Sequence, residues 1–138
     1  MSVKSLILVM AFLVMTFLAF ENGQCEDTGI QLKDLIGIWM PDLPGDDVSK
    51  VIKFNEDGTY IIAYDVDKLA TRPLDRGKIR LEGEQIAFIP SESPSCKTTM
   101  GKYTIKMTEK GNFQFTLQED SCDRRRCLFG PELIRIKP

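Results

Sequence analysis

The sequence predicts an all-β chain folded as a small eight-stranded antiparallel up-and-down β-barrel with little helix. Three observations carry this. Apolar and polar residues alternate with a period of two from Leu35 nearly to the C-terminus. Three glycine-bearing turns, Glu56-Asp57-Gly58, Gly83-Glu84 and Glu109-Lys110-Gly111, join alternating segments of matched length. No stretch has a convincing helical period, so helix is expected only as a turn or two near Thr28 to Lys33.

The N-terminus stands apart from this pattern. Lys4 precedes an apolar run from Leu6 to Phe20 broken only by Thr16, the layout of a secretory signal peptide. A spanning helix needs ~20 apolar residues, so the run is short for a permanent anchor. Gly23 and Cys25 are small residues at −3 and −1 for a cut before Glu26. A cut after Gly23 would put Glu21 at −3. The expected division is a signal peptide over 1–25 and one barrel domain over 26–138. An uncleaved anchor, or a lipoprotein anchored on Cys25, is the weaker alternative.

The elements follow in order. Leu35 to Met40 is the first strand and holds Trp39, the only tryptophan. Two prolines and a glycine make Pro41 to Asp47 a loop. Val51 to Asn55 and Thr59 to Val66 form the first hairpin, pairing Phe54 with Tyr60 and Ile52 with Ile62. Ile61 breaks the polarity of the outer face. Asp67 to Asp75 is a connector. Gly77 to Glu82 and Gln85 to Pro90 pair Leu81 with Ile86 and Ile79 with Phe88 across a type II′ turn. Ser91 to Ser95 is a loop. Lys102 to Met107 and Phe113 to Gln118 pair Met107 with Phe113, Ile105 with Phe115 and Tyr103 with Leu117. Glu119 to Gly130 is read as a charged, cysteine-bearing loop, and Leu133 to Ile136 as the last strand. Eight such strands with one apolar face can close and remove their own edges.

Alternation defines an inward face on which Phe54, Tyr60, Ile62, Tyr64, Phe88, Tyr103, Ile105, Phe113 and Phe115 are the candidate ligand-binding residues. Ile52, Ile79, Leu81, Ile86, Met107 and Leu117 share that face. A barrel of this size is either filled by its side chains or holds one small ligand. The three tyrosines would supply polar handles to an apolar guest.

Composition excludes several function classes. The formal net charge is −2, without the basic footprint of a nucleic-acid partner. Removing 1–25 takes away one base and one acid, Lys4 and Glu21, so that balance stands. With no histidine, acid–base catalysis would fall to Asp, Glu, Lys or Tyr, and alternation places no carboxylate in mid-strand on the inner face. No enzyme, cofactor or metal is expected. Oligomeric state is not legible.

Four cysteines allow three connectivities. Extending the third hairpin's register places Cys96 within two residues of Cys122, so Cys96–Cys122 is the expected disulfide. Cys25 and Cys127 can pair only if cleavage spares Cys25. The run Arg124-Arg125-Arg126 lies among Glu119, Asp120 and Asp123, and a locally neutralised loop is expected there.

The order Gly37-x-Trp39, Phe54-x-x-x-Gly58-Thr59-Tyr60, Cys96, Gly101-x-Tyr103, Phe115-Thr116 and Asp120-x-Cys122-x-x-Arg125 resembles the short secreted lipocalin-like domains of the calycin superfamily. The resemblance runs from about Leu32 to Ile136. It implies an eight-stranded barrel and, by analogy, a small hydrophobic ligand. It also implies structural roles for Gly37, Trp39 and Arg125, with Trp39 plugging the closed end against an arginine: Arg125, Arg126 or Arg135. The chain is shorter than a typical lipocalin and has no counterpart of the C-terminal helix that packs there. The sequence therefore points to a secreted or extracytoplasmic protein that binds a small, mostly apolar molecule and leaves the membrane once its signal is removed. The alternative is a secreted protein-interaction module on a filled barrel, marked by an exposed apolar patch at the loop end.

Overall fold

The computed structural model describes residues 29–44, 50–94 and 96–136. The signal-like run, its cleavage point and Cys25 lie outside the described residues. Eight strands follow one another around a closed barrel. They are β1 (Gly37–Pro41), β2 (Val51–Phe54), β3 (Thr59–Ala63), β4 (Asp75–Glu82), β5 (Gln85–Glu92), β6 (Gly101–Met107), β7 (Phe113–Glu119) and β8 (Leu133–Arg135). A one-turn helix, α1 (Leu32–Leu35), precedes β1, and α2 (Asp123–Leu128) lies between β7 and β8. Neighbouring strands are antiparallel throughout, and β1 closes on β8 by pairing Trp39 with Arg135 and Pro41 with Leu133.

All seven cross-strand pairs expected from the turn chemistry are present, from Phe54 opposite Tyr60 to Tyr103 opposite Leu117. The turns have the expected hand: Gly58 and Gly111 both sit at φ 78°, in the left-handed region that closes a three-residue loop. These tight turns and α1 lie at one end of the barrel, the closed end. The connections β1–β2, β3–β4, β5–β6 and β7–β8 lie at the other, the mouth.

The boundaries depart from the sequence reading where tertiary packing decides them. β3 stops at Ala63, because the chain folds over through a 3-10 turn at Val66–Lys68. That turn carries Leu69 onto the outside of the sheet, where it packs with Val51 and Ala63 beside Ile38, Met40, Ile61 and Ile136. This outer cluster explains why Ile61 is apolar on a face expected to be wet. β4 starts at Asp75, inside the expected connector, and β5 runs on to Glu92. The expected loop over Glu119 to Gly130 contains α2, whose Leu128 and the following Phe129 enter the core.

The interior is aromatic, with Phe88 at its centre. Its ring lies 5.0 Å from Tyr60, 5.7 Å from Tyr103 and 4.9 Å from Phe129, centroid to centroid. Phe115 stacks on Phe129 at 4.4 Å. Such ring pairs add about 0.5–1.5 kcal/mol each beyond their buried area.

Candidate functional site at the barrel mouth

At the closed end, the Gly-x-Trp motif explains itself. Trp39 is buried, its indole N–H donates to the Leu35 carbonyl at 2.7 Å, and its ring lies 4.7 Å from Phe113. The Arg135 guanidinium stacks over the indole with Cζ 4.3 Å from the centroid. It also donates to the carbonyls of Ile36 and Asp34. A Cβ on Gly37 would stand 2.6 Å from Arg135 Nη1, and Gly37 has φ 132°. Glycine is thus required at 37 because the guanidinium lies flat across that position. Of the three arginines open as Trp39's partner, Arg135 takes the role. Arg125 and Arg126 do not, because α2 carries Arg125 into the opposite end of the barrel and leaves Arg126 on the surface with Asp123.

At the mouth, the run Arg124-Arg125-Arg126 splits three ways. Arg126 pairs with Asp123 on the surface. Arg124 Nη1 donates to the Tyr64 hydroxyl at 3.0 Å. Arg125 is fully buried. Its Nε donates to Asp120 Oδ2 at 2.6 Å and its Nη2 to Asp120 Oδ1 at 2.8 Å, while Nη1 donates to Asp75 Oδ2 at 3.0 Å. Nη2 also donates to the Thr99 carbonyl at 2.6 Å. This is a bidentate clasp of one carboxylate with a second on the flank, the geometry a planar guanidinium favours. The Phe88 ring lies 6.0 Å from Cζ.

Two tyrosines complete the network. Tyr60 donates its hydroxyl to Asp75 Oδ2 at 2.9 Å, and Tyr103 donates to Asp120 Oδ2 at 2.5 Å. Asp120 Oδ1 also accepts the Cys122 backbone N–H at 2.9 Å. Asp75 Oδ1 is buried without a partner. Burial, then the neighbouring carboxylate, pushes both phenols far above their ordinary 10.0. Burial alone would pull Arg125 down; the hydrogen bond and charge of Asp120 outweigh it, and the net shift is upward. Desolvation on this scale is tolerated only because the charges are paired and hydrogen-bonded.

Local sequence positions this cluster. Gly101 opens β6 where a Cβ would overlap Asp120 Oδ2 and stand 2.7 Å from Arg125 Nε. Cys96–Cys122, the expected disulfide, joins the β5–β6 connection to the residue before α2, and so ties down the helix that carries Arg125. Cys127 on the same helix is exposed and has no partner among the described residues.

Of the candidate ligand-binding residues, Phe54, Tyr60, Ile62, Phe88, Tyr103, Ile105, Phe113 and Phe115 do come together in the interior. Tyr64 does not: it is exposed, because the pleat ends at Ala63. Met107 and Leu117 share the inward register but are also exposed. Met107 ends β6 beside the hairpin tip, and β7 meets β8 only through Phe113 and Leu133, so Leu117 pairs with Tyr103 on β6 but has no strand on its other side. Sequence reasoning missed Asp75, Asp120 and the inward turn of Arg125. The carboxylates come from strand ends, where a count of mid-strand alternation does not look. The available signal was the pair of buried tyrosines, whose hydroxyls need acceptors.

Among the described residues, depressions on the outside of the barrel include the following two. One, of about 130 Å³, crosses the outer face of β4 to β6 near Arg80, Ala87 and Lys102. The other, of about 310 Å³ and mostly polar, flanks the disulfide near Lys97, Ser121 and Arg124. Among the described residues, no group of acidic, cysteine or histidine side chains could hold a metal ion. No protein-family model, curated protein or solved structure matches the chain.

Proposed function

We propose that the chain is a secreted, non-catalytic binding module of the lipocalin-like (calycin) type, working through the loops at the mouth of a filled barrel. The observation that carries this reading is Arg125. Together with Leu128 and Phe129 it occupies the space a guest would take, and it engages both tyrosine handles through their carboxylates. A guest inside the barrel, the other reading, requires those side chains to leave.

The loop end offers a working surface. Leu43, Tyr64 and Val66 are 44–45% exposed, and they stand on two of the four mouth connections. Large apolar side chains on loops held by a rigid scaffold are typical of recognition surfaces. The signal-like N-terminus and the disulfide support an oxidising, extracytoplasmic setting. Arg135 over Trp39 supports the lipocalin-like assignment. Asp75 and Asp120 are buried and held by Arg125, out of a substrate's reach, which supports a module without catalysis.

The test compares the intact chain with a variant carrying Leu43→Ser, Tyr64→Ser and Val66→Ser. Each is used for affinity capture from the extracellular fluid of the source, after matched melting curves show both are folded. The intact chain should retain a partner protein that the variant loses. Equal capture by both, or a small apolar molecule carried inside the intact protein on native mass spectrometry, would contradict the proposal.

A further inference from the structure

We infer that the strands at the barrel mouth build a guanidinium-binding site, occupied in the native fold by the chain's own Arg125. Once that side chain is withdrawn, the site takes a small organic cation bearing a guanidinium, and not a neutral apolar molecule. This does not depend on what the loops recognise.

The walls belong to the strands and their ends: Tyr60 on β3, Asp75 on β4, Phe88 on β5, Tyr103 on β6 and Asp120 after β7. The occupant comes from elsewhere, a six-residue helix inserted between β7 and β8. The acceptors fit a planar fork. Asp120 takes Nε and Nη2 side by side, Asp75 takes Nη1, the Thr99 carbonyl takes Nη2, and Phe88 forms an apolar wall. The floor matches too, since a side chain at Gly101 would displace both Asp120 and Arg125 Nε.

The site is also rich in acceptors for a single tethered cation. Two buried carboxylates face one guanidinium, each already receives a tyrosine hydroxyl, and Asp75 Oδ1 remains buried and unpartnered. A neutral guest in place of Arg125 would leave two carboxylates buried without a counter-charge, so the site selects against it. In the native chain, the tether gives Arg125 an effective concentration that a free guest cannot match.

Arg125→Ala removes, beyond Cβ, the equivalent of N-ethylguanidinium, and that ion is the probe. Thermal melting is followed for Arg125→Ala with N-ethylguanidinium, with N-ethylurea as the neutral isostere, and with sodium chloride at equal ionic strength. Only N-ethylguanidinium should raise the midpoint saturably; at ten times its dissociation constant the folded-to-unfolded ratio should rise about elevenfold. The intact chain and the double variant Arg125→Ala/Asp120→Asn should not respond. If Arg125→Ala does not fold alone, its refolding yield with and without N-ethylguanidinium is the readout, and the yield should rise. Stabilisation by N-ethylurea as strong as by N-ethylguanidinium would overturn the inference. So would an equal response from the double variant, or no response in either midpoint or yield.

Discussion

Arg125 grips both oxygens of Asp120, the residue five positions before it, from a helix that follows the last long strand. The grip crosses the start of α2, so the side chain that seals the barrel mouth is fixed by the same short segment that leaves β7. A buried charged pair is not in itself strongly stabilising, but losing one member strands the other.

Arg125→Met should therefore destabilise by about 3–5 kcal/mol, leaving two buried carboxylates without a cation. Asp120→Asn should cost more than Asp75→Asn. Asp120 accepts four hydrogen bonds, two of them from Arg125, whereas Asp75 accepts two through a single oxygen. Urea denaturation of the three variants checks both the size and the order.

Gly101→Ala should act on this cluster without removing any of its polar groups. Its methyl would push on Asp120 and Arg125. A loss of about 1–3 kcal/mol is expected from overpacking. Gly37→Ala should act at the opposite end by displacing Arg135 from Trp39, with a change in tryptophan fluorescence that Gly101→Ala does not produce.

The disulfide holds α2 against the β5–β6 connection. Replacing Cys96 and Cys122 with serine together should lower stability by about 3 kcal/mol. Non-reducing peptide mapping of the native chain should recover Cys96 linked to Cys122; in the chain with 1–25 removed, Cys127 should be alkylated by a thiol reagent in the folded state, since its side chain is exposed.

Alkaline pH should unfold the protein through its buried phenols. Tyr60 and Tyr103 have folded pKa values raised above the unfolded 10.0. The stability this represents is fully present below pH 10 and is lost as pH rises beyond it, where the unfolded chain releases protons that the folded chain keeps. The slope should approach about 1.4 kcal/mol per pH unit for each tyrosine. Absorbance of the ionised phenol and circular dichroism should change together for these two residues.

The repeating parts of the fold were readable from the residues. Period-two alternation and three glycine turns set seven cross-strand pairs, because turn type and loop length fix hairpin register. Cys96–Cys122 followed from extending one of those registers. What escaped was set by contacts distant in sequence. Tyr64 continues the alternation on paper but leaves the sheet because Leu69 folds back over Ala63. Arg125 resembles a surface charge in a run of three, and only Asp75, fifty residues earlier, and Asp120 draw it inside. α2 is too short to show a helical period.

The filled interior is the claim on which the rest depends, and titration with an apolar fluorescent probe tests it most directly. The intact chain should show no saturable binding, whereas Phe88→Ala, which removes the ring at the centre of the aromatic core, should open a cavity and bind the probe. Saturation of the intact chain at one probe per molecule, abolished by Ile62→Trp in a protein that stays folded, would contradict it.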